Sequence, residues 1–160
     1  MRKDQRLELL RGVDLFAGCS RRELGEIEKL TSVIEVPRGT ELATFGTPGQ
    51  EFFVIIDGSA TATRMGLTLA VLGPGSFFGE LALLDGGNRT ATVVADTDLA
   101  VLVLSRREFR SLQSTAPSVA YKLLVELGAR LRRADAMIEE LAEREAGEEP
   151  PALTGTLSTI

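Results

Sequence analysis

The sequence predicts a mainly β protein, an antiparallel β-roll of jelly-roll type with about eight strands, preceded by N-terminal helices and followed by a long C-terminal helix. From Val33 to Leu104, short β-branched and aromatic runs alternate with Gly and Pro turns, the texture of a closed all-β domain. On both sides of that stretch, apolar residues recur at spacings of three and four, which is helical periodicity. The length of 160 residues, 44% hydrophobic and 26% charged, fits one globular domain with a modest core and no second full domain.

Ahead of the roll, Leu7, Leu10, Leu15, Phe16, Leu24, Ile27 and Leu30 fall mostly at helical spacing. Ser20, with Glu23 three residues on, forms a capping box that starts a helix near Arg21. Strands are expected at Val33 to Val36, Glu41 to Phe45, Phe52 to Ile56, Ser59 to Arg64, Thr68 to Leu72, Thr90 to Ala95 and Ala100 to Leu104. Turns at Pro37-Arg38-Gly39, Thr47-Pro48-Gly49, Asp57-Gly58, Gly73-Pro74-Gly75 and Asp85-Gly86-Gly87-Asn88 punctuate them. Ser105, again with Glu108 three residues later, caps a further helix, and Pro117-Ser118 opens a longer one.

Along that last helix Leu124, Leu127, Leu131, Ala134, Ile138 and Leu141 alternate steps of three and four, a heptad seam that predicts a homodimer through the C-terminal helix. The alternative is that its first half packs on the roll and its second half is a surface helix. The folded domain is expected over residues 1–146, with the roll at about 31–104 and closing helices at about 105–146. Residues 147–160 read as a flexible acidic and proline linker and tail. Leu153, Leu157 and Ile160 alternatively make that tail a docking peptide for a protein partner.

The chain has no histidine, which removes most zinc sites and the usual Ser/His and Cys/His nucleophile pairs; no enzyme activity and no metal are expected. Cys19 is the single cysteine, read as a small buried apolar residue, and the absence of paired cysteines suits a reducing compartment. The charged N-terminus leads into no long apolar stretch, so the expectation is a cytoplasmic protein with no membrane contact. A net charge of −5 argues against a general affinity for nucleic acid, whereas a small anionic ligand needs only local positive charge.

The segment richest in chemistry runs from Gly73 to Val93: a Gly/Pro turn, a short apolar helical turn from about Gly79, a Gly-rich turn, then a strand opening with Arg89-Thr90-Ala91. A helix start offers free amides to an anion. Gly79 lets a ligand approach the backbone, and Arg89 offers a fork of donors matched to two phosphate oxygens. Glu80 beside a phosphate would be repulsive unless it faced something else, such as a ribose hydroxyl. Taken singly each residue has an ordinary explanation: Glu80 on a solvated helix start, Arg89 paired with Asp85, glycines that merely turn. Gly73, Gly75 and Gly79 also have the outline of a dinucleotide fingerprint, but no βαβ unit follows.

Together, Phe78-Gly79-Glu80-Leu81-Ala82-Leu83 and Arg89-Thr90-Ala91-Thr92-Val93 resemble the phosphate-binding cassette of cyclic-nucleotide-binding domains, as in the catabolite activator family and the regulatory subunits of cAMP-dependent kinase. The resemblance covers residues from about 8 to about 135 and includes Leu15-Phe16, Pro37-Arg38-Gly39, Phe45 to Gly58 and Leu104 to Phe109. It implies a cyclic nucleotide ligand, cAMP favoured over cGMP, with Glu80 accepting from the ribose 2′-hydroxyl and Arg89 pairing the cyclic phosphate. Amides near Gly79, Ala82 and Ala91 would complete the cradle, and Leu81 lies within the same turn. Thr90 stands where relatives place a hydroxyl on the phosphate, and it does not settle the base. Asn88 replaces a proline common in relatives. The resemblance also implies a residue of the last helix closing over the base, for which Leu127, Arg130 and Leu131 are candidates. The activator family continues into a helix-turn-helix where this chain ends, so DNA binding is not expected.

Two functions follow from this reading. The first is a stand-alone sensor whose ligand shifts the C-terminal helix. The second is a structural or cargo-like scaffold that keeps the fold and acts through its coiled-coil helix and tail.

Overall fold

A computed structural model describes residues 2–147, and the chain divides after Ala120 into two units. The first begins with α1 (Lys3–Arg11), a 3-10 turn (Asp14–Phe16) and α2 (Arg21–Leu30). Strands β1 (Ser32–Val36), β2 (Glu41–Ala43), β3 (Glu51–Asp57), β4 (Ala60–Arg64), β5 (Leu67–Leu72) and β6 (Phe77–Phe78) follow. Then come α3 (Glu80–Asp85), β7 (Thr92–Ala95), β8 (Leu99–Ser105) and α4 (Arg106–Thr115). The last helix, α5 (Pro117–Gly147), crosses the boundary between the units.

The strands form two four-stranded antiparallel sheets, ordered β1-β8-β3-β6 and β2-β7-β4-β5, the roll that the sequence predicts. Between them lies a core of Phe53, Ile55, Phe78, Val93, Ala95, Leu99 and Val101, with the small residues Ala43, Ala60 and Ala62. Strand β3 explains its own sequence. Phe53 and Ile55 belong to this inter-sheet core, while Phe52 packs its ring 5.1 Å from Phe109 of α4 and 5.8 Å from Phe77. Because both faces are covered, the run from Phe52 to Ile55 is continuously apolar rather than alternating.

Both capping boxes form as the spacing predicts. Glu23 N donates to Ser20 Oγ at 3.1 Å and Ser20 N to Glu23 Oε1 at 3.0 Å; Ser105 and Glu108 repeat the pair at the start of α4. The Glu23 carboxylate does more than its motif announces. It also accepts from Ser118 N at 2.9 Å and Ser118 Oγ at 2.8 Å. The residue before α5 is Ala116, which has no side-chain acceptor, so α2 supplies the cap that α5 lacks. These donors, Ser20 N foremost, hold the Glu23 carboxyl below its ordinary range.

Some boundaries differ from the sequence expectation. Strand β2 ends at Ala43, not Phe45, because Thr44 to Thr47 turn on themselves and Phe45 N donates to Thr92 Oγ1 at 2.9 Å. Strand β7 opens at Thr92 rather than Thr90, and the two-residue β6 pairs with Phe53 and Val54 of β3. Cys19 is half-buried rather than fully buried; burial and the nearby Glu23 charge push its thiol up to about 11, leaving it a poor nucleophile at neutral pH.

In the second unit, the described part of α5 carries the predicted seam. Leu124, Leu131, Ile138 and Leu141 are exposed and Leu127 is half-buried, with ion pairs Lys122–Glu126 and Arg144–Glu140 along the helix. From residue 148 onward the expected linker and tail lie outside the described residues. Among the described residues, no helix is long and apolar enough to cross a membrane.

Candidate functional site

The candidate site gathers around the Arg89 side chain. Its backbone is pinned on both sides: Arg89 N donates to Thr47 O at 2.7 Å, and Gly46 N donates to Arg89 O at 2.9 Å. A bridge between Pro48 and Asn88 extends the pairing. These bonds take Arg89 out of the β7 ladder and turn its side chain inward, where only 7% of the residue is exposed. The guanidinium carbon lies 5.8 Å from the centre of the Phe53 ring, which itself stacks on Phe78 at 4.9 Å. The cation therefore caps one end of the inter-sheet core.

From that position Arg89 Nη1 donates to the Gly79 carbonyl at 3.4 Å, a long contact for such a bond. A guanidinium has five N–H donors in a fork suited to two oxygens of one anion. Burial pulls the Arg89 pKa down, opposed by the negative charges of Glu51 and then Glu80. Asp85, the surface partner that a bland reading would assign to Arg89, instead accepts from Gly87 N at 2.8 Å.

Gly79 precedes α3 with φ 93°, a left-handed conformation natural to glycine. A Cβ there would collide with Arg89 Nη1 and lie 2.7 Å from Glu51 O. Directly after it, Glu80 is buried to 2% exposure, an unusual place for a carboxylate. Ala82 is buried beside it, Leu81 faces outward, and Leu84 is exposed at the far end of the turn.

The structure thus brings Gly79, Glu80, Ala82 and Arg89 into one cluster. Thr90 is exposed and Ala91 half-buried, both in the connection ahead of β7. Leu127, Arg130 and Leu131 belong to α5 in the second unit, the first two half-buried and the last exposed.

Sequence reasoning missed Gly49. A Cβ at this position would stand 2.6 Å from Ala82 Cβ and 2.8 Å from Arg89 Nε. Its φ is unremarkable, so the requirement is space: the segment leading into β3 is the back wall on which α3 and Arg89 rest. The Thr47-Pro48-Gly49 turn flagged the glycine, but nothing local shows what approaches it.

A family model for the cyclic nucleotide-binding domain matches residues 33–116, more than half of the chain, and the chain belongs to that family. It is 34% identical, over 86% of its length, to a cyclic AMP receptor protein from Thermus thermophilus, and 35% identical, over 71%, to a cyclic nucleotide-gated potassium channel from Mesorhizobium japonicum. It spans 66% of the first relative's length and 31% of the second's. The crystal structure of the Thermus thermophilus catabolite activator protein superposes with a TM-score of 0.76 at 35% identity, covering 82% of this chain and 64% of that one.

Proposed function

We propose that the chain is a non-enzymatic sensor that binds a cyclic nucleotide, cAMP in preference to cGMP, and passes occupancy to its C-terminal helix. The observation that carries this is the buried Arg89 fork set against Gly79 and Glu80. A phosphate enters an apolar wall only if a cation is already there, and Arg89 is the one basic residue between Arg64 and Arg106. Glu80, repulsive toward a phosphate, suits the ribose: its carboxylate accepts from the 2′-hydroxyl while the guanidinium holds the cyclic phosphate. Backbone amides near Gly79, Ala82 and Ala91 add neutral donors. The preference for cAMP rests on the Thermus thermophilus relative being a cyclic AMP receptor protein.

The ribose contact is tested by comparing cAMP with its 2′-deoxy analogue. Loss of a hydrogen bond to a charged group weakens binding by roughly 1.5–3 kcal/mol. Equal affinities for the two ligands remove Glu80 from the ribose.

The exposed heptad seam of α5 supports a homodimer through this helix. In light scattering, the wild type is expected at twice the chain mass and the double variant Leu127→Glu, Leu131→Glu at the monomer mass. A monomeric wild type at tens of micromolar would refute the coiled coil.

A further inference from the structure

We infer that Arg106, the first residue of α4, is a positioning residue for the phosphate side of the site: it holds α3 in place through the Ala82 carbonyl and ties α3 to α4. The inference rests on the reading of α3 and Arg89 as the phosphate-binding side.

Helix α3 cannot hold itself in place. It has six residues, is entered through Gly79 and left through Gly86, both left-handed, and has no side-chain cap at its N-terminus. A helix so short is unstable without tertiary partners, and its last four carbonyls, beginning with that of Ala82, need donors from outside the regular ladder. Arg106 Nη2 reaches across 24 residues of sequence to donate to Ala82 O at 3.2 Å. A cation at the C-terminal half of a helix is also the favourable sign of charge.

The same residue grips the other wall. Arg106 N donates to Gln50 O at 3.1 Å, next to Gly49, whose Cα faces Ala82 and Arg89. Arg106 therefore bridges α3 and the segment leading into β3, beside the Arg89 side chain. Its Nε is buried and has no hydrogen-bond partner. Orphaned buried donors are rare, and the cost of leaving Nε unpaired is accepted where Nη2 reaches the Ala82 carbonyl. Phe109, one turn further along α4, packs on Phe52 of β3, so α4 is fixed to the roll where it meets α3. Helix α4 runs through Ala116 into the start of α5, so Arg106 stands at the head of the helical segment that leads to α5.

The test uses the Rp and Sp phosphorothioates of cAMP, in which sulfur replaces one or the other exocyclic phosphate oxygen. If the amides of α3 and the Arg89 fork take different phosphate oxygens, as the inference requires, the ratio of the two affinities reports how α3 is placed. Arg106→Gln is expected to weaken cAMP about tenfold, the loss of one charge-assisted bond, and to shift the Rp/Sp ratio. Arg106→Lys, which keeps a cationic donor, is expected to recover most of both. If the glutamine variant does not fold, Arg106→Met keeps the stem, removes the donor and takes its place. A folded variant with the wild-type affinity and ratio overturns the inference, as does an equal loss for both diastereomers that lysine fails to rescue. A wild type that binds none of the three ligands overturns the cyclic nucleotide reading itself.

Discussion

Arg89→Ala is expected to weaken cyclic nucleotide binding by about 30-fold to several thousand-fold, or roughly 2–5 kcal/mol, the cost of stranding a desolvated phosphate without its cation. In a chain of net charge −5, with no other basic residue between Arg64 and Arg106, nothing nearby in sequence replaces it. The truncation also touches the fold. The side chain lies against Gly49, Gly79 and the Phe53 ring, so alanine removes packing while relieving the burial of a charge. Lysine separates the two effects. Arg89→Lys keeps a cation on a long stem and should fold, yet rescue only part of the affinity, because a point charge does not span two oxygens as a guanidinium does. Titration calorimetry of the two variants, with thermal melts of the free proteins, provides the check. If Arg89→Ala unfolds the free protein and Arg89→Lys binds as wild type, Arg89 is a structural cation.

Gly79→Ala has the next largest expected effect. A left-handed conformation costs an alanine about 1–2 kcal/mol before any contact is counted. Here φ is 93°, and the new Cβ would also meet Arg89 Nη1 and stand 2.7 Å from the Glu51 carbonyl oxygen. Because one neighbour is the Arg89 guanidinium and the other is backbone of β3, relief must move one wall of the proposed site. The variant should lose roughly 1–3 kcal/mol of stability in chemical denaturation and lose affinity as well. Gly86→Ala is the control: φ is 72° there too, but nothing lies within 4 Å of the added Cβ, so stability should fall while affinity holds. Equal affinity losses in the two variants would mean that crowding against Arg89 is not what Gly79 prevents.

What was legible in the sequence is what local patterns record. The two capping boxes are written into Ser20/Glu23 and Ser105/Glu108, and both form. The cassette residues Gly79, Glu80, Ala82 and Arg89 stand close in sequence, and the chain folds them into one cluster. What escaped depends on partners far along the chain. Gly49 looks like an ordinary turn glycine until Ala82 and Arg89 arrive beside it. Glu23 announces its own helix but not its bonds to Ser118, 95 residues later. Strand propensity at Thr90 and Ala91 predicted β structure, and the pairing of Arg89 with Gly46 and Thr47 overrode it. Arg106 reads as the first residue of a capped helix, and only the packed structure shows it on the Ala82 carbonyl.

The central claim, that this chain is a cyclic nucleotide sensor built on Arg89 and Glu80, is tested most directly by titration calorimetry on protein freed of carried-over ligand by unfolding and refolding. With cAMP the expected result is saturable heat at one ligand per chain, weaker with cGMP, and no comparable binding of 5′-AMP, whose open phosphate carries a further charge. Absence of heat with both cyclic nucleotides, from protein whose circular dichroism shows it refolded, would contradict the sensor and leave the fold as a scaffold.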